Sequence, residues 1–212
     1  MSTHEVRRRA APHFIDRATV IGAALQVFAE SGFHGASMRG IAAVAETSQS
    51  NLYNYFDSKV ALLRFVLETT SRELADALEA GDADGEGEPS ARLVRAVEGY
   101  VHFVTANPNA STAGITEVRY LEGEDRSSVV AERDRAEAVF RRIVEAGVEA
   151  GEFDVADIGF ATRAVVTLCN SMSGWYRADG PLGPSEIARL QADMALGLVR
   201  SRSRCAAEGD VG

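Results

Sequence analysis

Residues 48–59 read SQSNLYNYFDSK. Gln49, Ser50, Asn51, Tyr53, Asn54 and Tyr55 crowd into seven positions, and Lys59 is the only lysine in the chain. Glutamine and asparagine amides can pair bidentately with adenine, while serine and tyrosine hydroxyls donate to phosphate oxygens. A lysine opening the next helix would add its charge to the exposed N–H groups there, a fit for a phosphate. The chemistry available is therefore recognition of a nucleic-acid duplex. A polar helix face that is merely solvated uses the same residue types, so composition alone leaves both readings open.

Local signals define the elements that must position these side chains. Apolar residues at Ala18, Ile21, Leu25 and Phe28 predict a helix over 15–31, ended by Gly32. Ser37 is placed to cap a short helix carrying Met38, Ile41 and Ala45 on one face, and Ser48 to cap another with Leu52 and Phe56 turned inward. Two short helices joined by AETS make a helix-turn-helix, whose second helix is the candidate reader of a major groove. Asp57 is read as the cap of a long helix over 58–80, with a seam of Val60, Leu63, Leu67, Leu74 and Leu78.

The remainder also reads as helix, with no sustained period-two alternation to suggest strands. Helices are predicted over 90–106, from Pro108 to about Leu121, over 127–150, over a segment opened by Asp154 and Asp157, and from Pro184 to about Ser201. GDADGEGEPS and EGEDRSS read as loops. The DxDG element lacks the spacing of a calcium loop, so no metal site is expected. The fold class is all-α: a flexible basic arm (1–14), a helix-turn-helix head (15–60), a larger helical regulatory and dimerisation body (61–204) and a disordered tail (205–212).

The 212 residues carry a net charge of −9, distributed unevenly. Residues 1–60 hold six basic and five acidic residues, and residues 61–212 hold sixteen and twenty-six. An acidic body therefore bears a near-neutral head with an Arg7-Arg8-Arg9 arm. No apolar run reaches membrane-spanning length, and the N-terminus has no signal core. Cys169 and Cys205 lie far apart, without metal or redox spacing, and the expected compartment is the cytoplasm. The excess of arginine over lysine fits a GC-rich bacterial genome. His4, His13, His34 and His102 form no catalytic motif, and neither GxSxG nor HExxH occurs, so neither enzymatic activity nor a cofactor is expected. A helical protein-interaction module is an alternative, but would not predict the polar-aromatic stretch beside a basic arm.

The segment SGFHGASMRGIAAVAETSQSNLYNYFDSKVALL resembles the DNA-binding domain of the tetracycline-repressor (TetR) family of bacterial regulators. The resemblance rests on Gly32-Phe33, Ser37, Ile41-Ala42, Ser48, Leu52-Tyr53-Asn54-Tyr55-Phe56, Lys59 and Leu62-Leu63, and covers about residues 15–65. Two positions depart from the family pattern, where Glu46 and Ser50 replace common glycines. The resemblance implies that Ser37 and Lys59 contact phosphates, with Arg39 in reach of another. It further implies that Tyr53 and Tyr55 clamp the backbone and that Gln49, Ser50, Asn51 and Asn54 read bases. Arg7, Arg8 and Arg9 resemble an arm entering the minor groove.

The resemblance also implies a homodimer on a pseudo-palindromic operator and a repressor released by a small-molecule effector; a ligand-independent regulator is the alternative. Interface positions are then expected on the last helix (Ile187, Leu190, Met194, Leu198) and the penultimate one (Gly159, Ala161, Ala164, Val165, Leu168). Effector contacts are expected among Tyr100, His102, Phe103, Arg119, Tyr120, Asn170, Met172, Trp175 and Tyr176. The C-terminal stretch from SGWYRADG onward resembles family members that respond to acyl-CoA thioesters. An effector of that kind, or a simpler apolar one, is implied. Ser171 stands where some such regulators carry a basic residue, so Arg163 and Arg177 would have to meet the phosphates.

Overall fold

The computed structural model describes residues 16–200. The arm with Arg7, Arg8 and Arg9, and the tail with Cys205, lie outside the described residues. Nine α-helices run through the described residues, with short 3-10 turns at Val118–Tyr120 and Ser171–Gly174.

The head is built from α1 (Arg17–Gly35), α2 (Met38–Val44), α3 (Gln49–Tyr53) and the start of α4 (Lys59–Gly81). Each begins on a side-chain cap: Asp16, Ser37, Ser48 and Ser58 each accept a bond from a backbone N–H three residues on. Ser58, not Asp57, therefore caps the long helix, because its hydroxyl reaches Ala61 N at 3.0 Å. α3 stops at Tyr53 with Asn54 as its C-cap, so Phe56 packs from the loop beyond it. Gly32 kinks α1 at φ 63°, ψ 172°, a backbone region that suits a residue without Cβ.

The body comprises α5 (Pro89–Ala106), α6 (Pro108–Thr116), α7 (Gly123–Glu149), α8 (Ile158–Asn170) and α9 (Pro184–Arg200). EGEDRSS is not a separate turn, since α7 begins at Gly123 and absorbs most of it. Glu124 and Asp125 fall in the first turn, where acidic side chains favour the helix N-terminus. Within the DxDG loop, Asp82 makes a buried bidentate pair with Arg92 at 2.7 and 2.8 Å, tying the end of α4 to α5. At the far end of α7, the Phe153 ring lies so close to Gly147 that a Cβ there would meet it at 2.0 Å.

Two apolar cores form. One fills the body among α5, α7, α8, α9 and the second half of α4, around Leu93, Val97, Val139, Phe140, Val165 and Ala195. The other fills the head around Phe28, Ile41, Leu52, Leu62 and Leu63, and runs along α4 as far as Leu67. The head core also takes in Ala110 and Ala113 of α6, Leu121, and Val129 of α7. The body thus supplies part of the packing that fixes the head, and α4 contributes to both cores.

Candidate nucleic-acid interface and body cavity

The turn between α2 and α3 places Glu46 at φ 51°, left-handed, where the family pattern has glycine. The turn closes through Thr47 N to Ala42 O at 2.9 Å, and Ser48 then caps α3. Leu52 is fully buried and anchors α3, leaving Gln49, Ser50, Tyr53, Asn54 and Tyr55 exposed on one side of the head. Tyr53 and Tyr55 are 46% and 49% exposed, high values for rings this large. Arg39, Ser37 and Ser48 are exposed on the same two-helix unit.

Besides Ser37 and Ser48, whose hydroxyl oxygens accept from Gly40 N and Asn51 N as helix caps, two expected DNA contacts are already engaged within the chain. Asn51 is half-buried, and its amide donates to Thr47 Oγ1 at 3.1 Å, bracing the turn. Lys59 Nζ donates to the carbonyls of Phe33 and Ala36 at 2.5 and 2.7 Å and lies 4.3 Å from the Phe33 ring centroid. Its ammonium satisfies carbonyls at the kinked end of α1, a favourable place for a cation. In this arrangement Lys59 is a brace of the head rather than a free phosphate contact.

In the body, a cavity of about 250 Å³ opens between α4, α5, α6, α7 and α8. Its apolar wall includes Leu74, Phe103, Val104, Ile115, Phe140 and Val166. Tyr100, Phe103 and Asn170, named in the sequence as candidate effector contacts, are among its lining residues. Burial pushes the Tyr100 phenol up, so it stays protonated and donates to Asn170 Oδ1 at 2.6 Å.

The other expected ligand contacts lie elsewhere. Met172 is fully buried in the body core, Tyr176 packs against that core, and Trp175 is half exposed in the loop after α8. Arg119 stacks over Tyr120 at 5.1 Å, and Tyr120 stacks on Phe33 of α1 at 5.0 Å. These two belong to the junction of head and body. Cavity residues that the sequence did not single out are Thr70, Ser71, Gly114 and above all Arg133. Arg133 sits in the charged run ERDRAE, where nothing local separates it from surface arginines.

The same junction holds Glu117, a buried carboxylate that accepts from Phe33 N at 2.8 Å and from Thr116 Oγ1 at 2.9 Å. Glu117 directly follows α6, whose Ala110, Ser111, Gly114 and Ile115 line the cavity. One short helix therefore touches both the cavity and the kinked end of α1.

On the outer face of the body, Leu190, Met194 and Leu198 of α9 recur every four residues and are exposed, with Phe160 of α8 71% exposed. Ala161, Val165 and Ile187, expected at an interface, are buried in the chain's own core, and Leu168 is half-buried against it. Ala161, Val165 and Ile187 lie on the inward faces of α8 and α9, while Leu168 stays partly exposed.

Residues 20–66 match the family described as bacterial regulatory proteins, tetR family, and residues 86–199 match the tetracyclin repressor-like C-terminal domain. The chain belongs to the TetR family. Regulators of this family typically bind operator DNA and an effector, and they are not enzymes. The regulator UidR of Escherichia coli strain K12 is 40% identical over 60 residues, 28% of this chain. That match spans 31% of UidR, so the chain covers under a third of the length of this curated relative. The transcriptional repressor KstR2 of Rhodococcus jostii RHA1 is 25% identical over 85% of this chain and 89% of its own. Among solved structures, the TetR-family regulator PfmR of Thermus thermophilus superposes with a TM-score of 0.78 at 30% identity, covering 85% of this chain and 97% of that one. Among the described residues, no helix is long and apolar enough to cross a membrane.

Proposed function

We propose that the protein is a homodimeric repressor that binds a pseudo-palindromic operator and releases it when a small molecule enters the body cavity. The observation that carries this reading is α6, which lines the cavity and is followed at once by the Glu117 carboxylate bonded to Phe33 N of the head. Gln49, Ser50 and Asn54 read base edges, while Tyr53, Tyr55, Ser37, Ser48 and Arg39 hold phosphates, with Arg7, Arg8 and Arg9 following the minor groove. Leu190, Met194, Leu198 and Phe160 form the dimer face, which sets two α3 helices in successive major grooves. Repression is supported by the likeness to KstR2. The regions 1–14, 15–60, 61–204 and 205–212 serve as arm, head, regulatory body and tail.

An effector must favour the released state to shift the equilibrium. It enters between α4 and α6, and movement of either element re-aims the head, because both also pack in the head core. The acyl-CoA alternative fits less well. Arg163 is exposed on α8 and Arg177 pairs with Asp179 at 3.1 Å, and neither lines the cavity to meet a CoA phosphate.

Selection of bound fragments from random duplex DNA, followed by mobility shifts over a salt series, tests the regulator reading. A selected site bound in preference to random DNA, with affinity falling steeply as salt rises, is expected. Absence of any preferred site at low salt overturns it.

A further inference from the structure

Among the described residues, Arg133 is a cation without a counter-ion. It lies on α7, half-buried and lining the cavity, and its guanidinium donates to the backbone oxygen of Gly114 on α6. It makes no ion pair with any of the described residues, whereas Arg72, Arg92, Arg135 and Arg141 all find carboxylates. Burial is the main force lowering its pKa; Tyr100 opposes this and the neighbouring Arg126 adds to it, and no carboxylate contributes. Buried charges are normally paired, because removing an ion from water is costly unless an opposite charge replaces the hydration. Asn170 adds a second donor group. Its oxygen is taken by the Tyr100 hydroxyl, and its amide N–H groups have no partner among the described residues.

The acidic residues lining the cavity do not neutralise Arg133. Asp134 is exposed at the rim, and Glu137 is committed to Arg141 at 3.1 Å. The remaining wall is apolar, with the rings of Phe103 and Phe140 and the side chains of Leu74, Ile115 and Val166. A space of about 250 Å³ lies below the usual range for drug-sized ligands, so the occupant is small.

We infer that the cavity binds a compact monocarboxylate with an apolar tail, its anionic oxygens held by the Arg133 guanidinium and the Asn170 amide. This inference rests on the effector reading given under Proposed function and names the chemical class. A free acid suits the site better than a CoA thioester. A thioester lacks the anionic oxygens that the Arg133 guanidinium and the Asn170 amide would hold. Binding would also draw Arg133 from Gly114 O, loosening α6 next to the Glu117 contact with the head.

The test uses the full chain and isothermal titration calorimetry. The probes are octanoate and 3-phenylpropanoate, their neutral amides, and octanoyl-CoA. At least one acid is expected to bind about tenfold or more tighter than its amide, as for charge-assisted hydrogen bonds. Arg133→Gln should remove that preference while leaving the amide's affinity within about twofold. The acid–amide comparison on the unaltered protein stands alone should the variant not fold. Equal binding of acid and amide, no binding by either acid, preference for octanoyl-CoA, or acid preference surviving in Arg133→Gln would each overturn the inference. Mobility shifts on the selected operator separate the two readings. Acid that binds without releasing DNA sinks the release mechanism and leaves the carboxylate site standing. Specific DNA binding with no acid bound sinks the site and leaves the regulator standing.

Discussion

Glu117 accepts a hydrogen bond from the backbone N–H of Phe33 at 2.8 Å, across 84 positions of sequence. The bond joins the residue after the cavity-lining helix α6 to the residue after the Gly32 kink of α1. Phe33 also stacks on Tyr120 and lies under Lys59, so the kink is held from the body and from α4 together.

Glu117→Ala leaves the Phe33 N–H without its acceptor, at a cost of about 1–3 kcal/mol. Its urea midpoint should fall, and any effector that releases the operator should do so less completely. Glu117→Gln keeps an acceptor and should lie between the variant and the parent in both measurements. An unchanged midpoint in Glu117→Ala would show that the junction does not depend on this bond.

Lys59→Met removes an ammonium that serves two carbonyls of α1. Loss of roughly 1.5–3 kcal/mol of head stability is expected, read by chemical denaturation. The salt slope of DNA binding discriminates the roles. A phosphate contact would lower the slope by about one, whereas an internal brace leaves it unchanged.

On the proposed reading, the recognition surface divides into readers, clamps and a brace. Gln49→Ala should relax preference at one base position of a selected site. Tyr55→Ala should weaken all sequences alike. Asn51→Ala should act mainly through the Thr47–Ser48 turn, lowering thermal stability more than it alters base preference. A base-specific change from Asn51→Ala with unaltered stability would return that residue to the readers.

Glu46→Gly relieves a left-handed backbone at φ 51° but adds freedom to the unfolded chain. A net gain of up to about 1 kcal/mol is expected by denaturation. It also removes a negative charge from the turn before the proposed recognition helix, which should raise affinity for all duplexes at low salt. Glu46→Ala removes the charge without freeing the backbone and should reproduce only the second effect.

Met194→Lys places a charge in the exposed stripe of α9. Sedimentation should show a shift from dimer toward monomer, with operator affinity falling because the two heads no longer bind as a pair. Ile187→Val trims the chain's own core instead and should cost about 0.5–1.5 kcal/mol of stability with the dimer intact.

What the sequence determined by itself was local. Hydrophobic spacing placed the helices, Ser37 and Ser48 marked the starts of α2 and α3, and the pattern from Gly32 to Leu63 carried the family. These features depend on neighbours within about one helical turn, which is why they can be read from a line of residues. Tertiary packing decided the rest. A stripe such as Ile187, Leu190, Met194 and Leu198 looks uniform in sequence, yet packing of α9 on the body core buries Ile187 and exposes the other three. Lys59 and Asn51 have the chemistry of DNA contacts, but the nearby carbonyls of α1 and the hydroxyl of Thr47 engage them first. Arg133 is one arginine among many until α6 and α5 close around it, and only then does its charge lack a partner. Burial and charge compensation arise from contacts distant in sequence, so the cavity and its cation had to come from the folded molecule.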